Sequence, residues 1–321
     1  MNLSVGYVNL FFMENSVEKL IIIGSGPAGL AAAIYAARGG LEPTVISGRA
    51  AGGQLMLTTD VDDFPGFEEG IQGPDLMMKM RKQAKRFAVR FLDEDVLSVN
   101  FTQKPFTVKT ESKELKAESV IIATGAQASW LGLESETRLR GRGVSACAVC
   151  DGFFFRGKNI IVVGGGDTAM REAQHLSKVA AKLYVVHRRD QFRAQKALID
   201  LVTTKANVEV IFDSVLEEVL GEDKVTGVKL RNVKTNEVKE MPIDAVFVAI
   251  GHKPSTDFLK GQIQLDEKGY IKVTDEVFSS VPGVFVAGDV SDFKYRQAVT
   301  AAGSGTKATL EAEHYLENLK A

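Results

Sequence analysis

Leu20-Ile21-Ile22-Ile23-Gly24-Ser25-Gly26-Pro27-Ala28-Gly29 is the stretch on which the fold turns. Four apolar residues in a row fit a short strand buried on both faces. Glycines spaced G-x-G-x-x-G follow, and then an Ala-rich helical segment runs to Ala37. Strand, tight turn and helix make a dinucleotide-binding unit. Gly24 permits the turn, Gly26 lets a pyrophosphate approach the backbone, and Gly29 lets helix and strand pack closely. The helix N-terminus then faces the negative charge. Gly24, Ser25, Gly26, Pro27, Ala28 and Gly29 are the candidate contacts.

The same grammar recurs. Asn159-Ile160-Ile161-Val162-Val163 leads into Gly164-Gly165-Gly166-Asp167-Thr168-Ala169 and a helical pattern through Leu176. Each unit continues to a second apolar strand, Pro43–Ile46 in one and Leu183–Val186 in the other. β-rich sequence follows: Val96–Phe101 and Phe106–Thr110 in the first half, Val208–Phe212 and Val225–Leu230 in the second. Both halves close on an apolar strand ending in glycine, at Ala123-Thr124-Gly125 and at Val248–Gly251. Ala123, Thr124 and Gly125 are therefore further candidate contacts of the first nucleotide. The expected fold is α/β, with two Rossmann-like domains produced by a loose internal duplication. The tail with Val284–Asp289 and a last helix is too short for a domain. It is expected to complete the first, so that the second is inserted into it. The boundaries expected are 13–127 with 250–321 for the first domain and 128–249 for the second, after an N-terminal extension of residues 1–12.

The two glycine turns lead into different sequence. An acid that would hold a ribose is expected roughly 20 residues after the first fingerprint. Ser47-Gly48-Arg49 stands there instead, beside a backbone-donor loop, Gly52-Gly53-Gln54-Leu55. Gly53, Gln54 and Leu55 join the first site, and Asp289, after the late strand, is a second anchor for a long dinucleotide such as FAD. The second fingerprint uses Gly164, Gly166 and Ala169, with Asp167 and Thr168 in its turn. Its following strand ends in His187-Arg188-Arg189-Asp190-Gln191-Phe192-Arg193. Three arginines where an acid would select NAD point to the 2′-phosphate of NADPH, which a guanidinium binds through charge-assisted bonds. FAD in the first domain and NADPH in the second give a working electron path.

The chain has two cysteines, both in Cys147-Ala148-Val149-Cys150. A disulfide framework would spread several along the chain. Zinc needs four ligands, and no second cysteine pair accompanies this one. The pair reads as a redox dithiol of a cytoplasmic protein. Asp151 follows directly and stands ready to exchange protons with a sulfur. Phe153-Phe154-Phe155 then offers either core packing or an apolar patch for a protein partner, which Arg142 can join. A net charge of −2 from 39 basic and 41 acidic residues excludes the charge excess that nucleic acid or anionic membranes attract. No apolar run reaches the ~18 residues of a membrane span. The N-terminus has no basic residue before Lys19 and is not expected to be a signal peptide, and Met13 is an alternative start.

Taken in order, Gly24–Gly29, Gly52–Leu55, Cys147–Gly152, Gly164–Ala169, His187–Ala194, Gly288–Val290 and Tyr295-Arg296-Gln297-Ala298 closely resemble the small, bacterial-type thioredoxin reductases. The resemblance covers nearly everything after about residue 17. It implies a homodimer with FAD in each subunit, NADPH as donor and thioredoxin as the protein substrate. It implies that Cys150 lies nearer the flavin, that Cys147 attacks thioredoxin and that Asp151 is the proton donor and acceptor. Arg188, Arg189 and Arg193 would hold the 2′-phosphate. Asp289 would bind the ribityl chain of FAD, with Gly288 also at the FAD site and Arg296, Gln297 and Ala298 near the flavin ring. Similar proteins often carry a cysteine where Thr306 stands. Flavoproteins of peroxide-reducing systems share the core but usually carry an extra N-terminal cysteine-bearing region, and ferredoxin–NADP reductases lack the cysteine pair. A non-catalytic NADPH sensor would have no use for Cys147, Cys150 and Asp151.

Overall fold

The computed structural model describes residues 16–58 and 60–319. The extension 1–12, the alternative start at Met13 and the first residues of the expected first domain lie outside them. The described chain forms two compact units. One takes residues up to Met56, Asp75–Gly125 and everything from Pro254, and the other takes Leu57–Pro74 and Ala126–Lys253. Leu57–Pro74 thus groups with the second unit, whereas the sequence reading put it with the first. Its strands, Asp60–Val61 and Ile71–Gln72, pair with each other, and no ladder among the described residues ties them to the first sheet.

The first unit is built on Val17–Ile23, flanked in parallel by Thr44–Ile46 and Glu114–Ile122. Arg90–Leu92 extends one side. Glu114–Ile122 divides its edge: the late strand Val284–Val286 joins in parallel opposite Val120–Ile122, and Phe106–Thr110 runs antiparallel opposite Glu114–Ala117. The tail therefore completes this sheet. A period of two explains why a continuous apolar run suits the central strand. Leu20 and Ile22 point into one core, Ile21 and Ile23 into the other.

The helix Pro27–Arg38 packs against the last helix, Ala298–Asn318. Their approach is close because of Gly305, where a Cβ would stand 2.1 Å from the Ala28 carbonyl oxygen. Thr309 Oγ1 adds a hydrogen bond to the Ala32 carbonyl at 3.1 Å.

The second unit repeats the plan. Val144–Ser145, Ala245–Val248, Asn159–Val163, Lys182–Val186 and Val208–Ile211 lie side by side in that order, all parallel. Ile161 and Val163 face one core, Ile160 and Val162 the other. A separate antiparallel sheet holds Ser214–Leu220, Gly227–Asn232 and Val238–Met241. The strand expected over Val225–Leu230 starts later, at Gly227, because the Val225 N–H is already bonded to the Arg142 carbonyl.

Candidate active site

Cys147 and Cys150 are joined in a disulfide, with Cα atoms 5.4 Å apart. Cys147 caps the four-residue helix Ala148–Asp151, its sulfur accepting the Cys150 N–H at 3.2 Å. The Cys147 N–H in turn donates to Ser145 Oγ at 3.0 Å. The helix is too short for a large dipole. What it offers Cys147 is one N–H aimed at the sulfur, and such a bond favours a thiolate there once the disulfide opens. Asp151, expected from the sequence to exchange protons with a sulfur, is half-buried. Burial pushes its carboxyl up, the carboxylates of Asp63 and Asp60 add to the shift, and a hydrogen bond with Ser145 opposes it. Three of these partners lay outside the sequence reading. Ser145, two residues before Cys147, carried a readable signal, since a hydroxyl at that spacing commonly binds the N–H two residues on. Asp60 and Asp63 carried none.

The three phenylalanines divide. Phe155 packs into the core, edge-on to Phe247 with ring centroids 6.0 Å apart. Phe153 and Phe154 are 66% and 47% exposed, and Val149 between the cysteines is exposed too. Arg142 is also exposed.

A family model described as pyridine nucleotide-disulphide oxidoreductase matches residues 18–305. The thioredoxin reductase of Coxiella burnetii is 48% identical over 94% of this chain and 97% of its own. That of Rickettsia conorii is 51% identical over 93% and 98%. The chain belongs to the thioredoxin reductase family. The crystal structure of the thioredoxin reductase from Streptococcus pyogenes superposes with a TM-score of 0.91 at 42% identity, covering 95% of this chain and all of that one.

Both glycine turns leave no room for a side chain at their first glycine. At Gly24, φ is +113° and a Cβ would stand 2.2 Å from the Ala123 carbonyl oxygen; at Gly29 it would stand 2.0 Å from that of Gly24. Gly26 by contrast opens onto space, with nothing within 4 Å of such a Cβ. It caps the helix beginning at Pro27 without any side-chain cap, and the first turn holds no acid. Those N–H groups fit a pyrophosphate. Ser25 Oγ accepts the Gly52 N–H and donates to the Ser47 carbonyl, each at 3.0 Å. That bridge brings Gly53 to 3.4 Å from Gly26 Cα, measured from a built Cβ, with Gln54 and Leu55 in the same short 3-10 turn. Arg49, at the expected ribose position, is paired with Glu111. Thr124 Oγ1 donates to the Ser255 carbonyl, and the Gly125 carbonyl accepts the Ser255 N–H.

At the end of the late strand the Gly288 N–H donates to Ser304 Oγ at 2.7 Å. Burial pushes the Asp289 carboxyl up to about 7, Asp292 adds to it and Arg296 opposes it. Arg296 holds φ at +52°, a conformation uncommon for a side-chain-bearing residue. Gln297 then caps the helix that starts at Ala298, in a reciprocal box with Thr300.

The second fingerprint opens on a cavity of about 340 Å³. Gly164, Gly166, Thr168, His187, Arg188 and Arg193 line it. Ala169 is buried behind the turn, and Asp167 Oδ1 accepts the Gln195 N–H at 2.9 Å. Gly165 lies flat against the His187 ring, which a Cβ there would strike at 2.3 Å. His187 Nε2 is buried without a hydrogen-bond partner, a polar atom suited to a ligand group in the cavity. Burial, then Arg193, Arg189 and Arg188, hold the imidazole below its usual pKa. Arg188 and Arg193 line the cavity, and Arg189 lies outside its lining. No group of three or more His, Cys, Asp or Glu residues among those described could hold a metal ion. Nor is any described helix long and apolar enough to cross a membrane.

Proposed function

We propose that this chain is an NADPH-dependent thioredoxin-disulfide reductase, passing electrons through FAD and the Cys147/Cys150 pair to the disulfide of thioredoxin. The observation that carries the reading is the closed Cys147–Cys150 disulfide with Asp151 half-buried beside it. It sits in a chain that matches thioredoxin reductases over nearly its whole length. FAD and NADPH, when bound, supply the two electrons that open that disulfide.

The residues divide the work. The backbone of Gly24–Gly29 holds the FAD pyrophosphate, supported by Gly53, Gln54 and Leu55. Ala123, Thr124 and Gly125, Gly288, Asp289, Arg296, Gln297 and Ala298 hold the rest. Gly164, Gly166, Asp167, Thr168 and Ala169 cradle the NADPH pyrophosphate, with His187, Arg188, Arg189 and Arg193 around the 2′-phosphate. In the reduced pair Cys147 attacks one sulfur of the thioredoxin disulfide, forming a mixed disulfide and releasing a thioredoxin thiolate. Cys150 then attacks Cys147 Sγ, which closes the protein disulfide and releases the second thiolate. Asp151 takes the proton that leaves the attacking thiol and returns it to a departing thiolate. Its raised pKa supports that role, because a carboxyl with its usual value would hold too little proton near neutrality. We read the working form as a homodimer in the cytoplasm, where a reactive dithiol stays reduced.

A coupled assay tests this. Purified protein should oxidise NADPH and reduce a disulfide reporter when thioredoxin is present, and not otherwise. Cys147→Ser and Cys150→Ser should each abolish thioredoxin turnover while the bound flavin is still bleached by NADPH. Substantial turnover by either variant would rule out the dithiol route. Sedimentation of the holoprotein should give twice the 34.8 kDa of one chain.

A further inference from the structure

The helix Asp167–Leu176 carries the second fingerprint at its start and a buried carboxylate near its middle that the steps above leave unused. Glu172 is 8% exposed, and its Oε2 accepts the N–H of Ala148, which is fully buried. Ala148 follows Cys147 directly, so this carboxylate lies under the loop between the two sulfurs. Three residues on, His175 packs on Gly152, where a built Cβ would stand 3.6 Å from the ring Cδ2. Glu172 and His175 face the two ends of the turn that holds Cys147, Cys150 and Asp151.

Resting on the reading above, we propose that Glu172 is a positioning residue of the redox pair. It pins the Cys147–Cys150 loop through Ala148, and its negative charge keeps the reduced pair a strong electron donor. The pinning acts through geometry. The Cys150 N–H reaches Cys147 Sγ only while the loop keeps its helical turn, and Ala148 is the first residue of that turn.

The charge acts through the balance between the two redox forms. A nearby carboxylate disfavours a thiolate. The reduced pair carries that thiolate and the disulfide carries no charge, so Glu172 destabilises the reduced form. A dithiol whose reduced form is destabilised has a lower potential, the converse of a strong oxidant with a stabilised reduced form. Electrons then leave the pair more readily, in the direction the activity needs.

The other charged groups around the turn act differently. Asp151 lies on the turn itself, its carboxyl raised by burial and by Asp63 and Asp60, and so suits proton exchange. Glu172 instead accepts the backbone N–H of Ala148. His175 is pushed toward its neutral form by burial and by Lys178. The Arg156 guanidinium lies over the Phe153 ring, 5.2 Å from its centroid. Arg142 and Arg171 are exposed.

The test uses the holoprotein. In a Cys150→Ser background Cys147 is the only thiol of the sequence, and its alkylation by iodoacetamide is followed against pH. Adding Glu172→Gln, which keeps an acceptor of the same shape but removes the charge, should lower the alkylation midpoint by about one pH unit. With both cysteines present, Glu172→Gln should shift the equilibrium with glutathione at pH 8.5 about tenfold toward the reduced pair, about 30 mV. Glu172→Asp keeps the charge but withdraws it from Ala148. It should raise the alkylation midpoint, because the Cys150 N–H no longer reaches Cys147 Sγ, and cut thioredoxin turnover by roughly tenfold. An alkylation midpoint that stays or rises in Glu172→Gln overturns the charge role, and wild-type turnover in Glu172→Asp overturns the pinning. A wild-type protein that failed to reduce thioredoxin would instead defeat the functional reading, while the alkylation comparison stood.

Discussion

Asp289 shows how one side chain can be costly to the fold and useful to the site. Its carboxyl is pushed up to about 7, chiefly by burial. The folded apoprotein therefore holds this proton more tightly than the unfolded chain does. Stability that is fully present below about pH 4 declines as the pH rises toward 7 and is flat beyond it. A shift of about three units corresponds to at most about 4 kcal/mol. Asp289→Asn, neutral at every pH, should thus make the apoprotein more stable than wild type at pH 8, and the gap should close toward pH 4. Urea unfolding at the two pH values measures this, and an equal gap at both would remove burial of the charge as the cause. The same variant should retain FAD less well, since an amide is a weaker acceptor for ligand hydroxyls than a carboxylate. The arginines around His187 make a second residue-level case. Replacing Arg188 and Arg189 by Ala should lower the NADPH/NADH ratio of kcat/KM tenfold or more, at roughly 1.5–3 kcal/mol for each lost charge-assisted bond. An unchanged ratio would show that the 2′-phosphate is held elsewhere.

At the scale of elements, the turn Gly152–Phe155 makes three identical residues do different things. A 3-10 turn spreads successive side chains by about 120°. Phe155 therefore points at Phe247 in the core while Phe153 and Phe154 point to solvent. Phe155→Ala should cost about 2–4 kcal/mol of stability. Phe154→Ala should change stability by less than about 0.5 kcal/mol but raise the KM for thioredoxin about tenfold, as for a docking ring. Thermal melts beside steady-state kinetics separate the two, and a KM unmoved in Phe154→Ala would remove this ring from the docking surface. The division was not legible in the sequence, because three consecutive rings carry no period. The strand–glycine–helix units were legible, because Gly24, Gly29 and Gly164 sit where a Cβ would strike backbone. Val238–Met241 escaped notice because its residues are mostly exposed and show no apolar alternation. The helix Gly73–Arg86 belongs to neither strand–glycine–helix unit, so no glycine fingerprint marks it. Glu172 was beyond reach, since its partner Ala148 lies 24 residues away and no local pattern announces the pairing.

The whole molecule poses a problem of traffic. On the reading proposed, Cys150 and the NADPH cradle belong to one unit and the FAD cradle to the other. Cys147 must also meet a bulky protein disulfide, which a sulfur shielded by the flavin could not do. The second unit is therefore expected to turn as a body between two states, one presenting Cys150 to the flavin and one presenting the nicotinamide while Cys147 is free. The chain passes between units after Met56, Pro74, Gly125 and Lys253, and the last two crossings are flanked by glycine. The strands Ala126–Ala128 and His252–Pro254 pair with each other there. Gly125 and Gly251 bound this ribbon: the Gly125 carbonyl accepts the Ser255 N–H and the Gly251 carbonyl accepts the Ser129 N–H. Both glycines lie in the left-handed region, at φ +68° and +118°, with nothing within 4 Å of a built Cβ. Backbone torsion can change at these two points at little steric cost while the ribbon between them stays paired. A cross-link engineered to hold the Cys150-to-flavin state should block flavin reduction by NADPH, and cleaving the link should restore it. Stopped-flow bleaching of the flavin before and after cleavage is the measurement, and turnover continuing undiminished in the locked protein would show that both partners reach the flavin without any rotation.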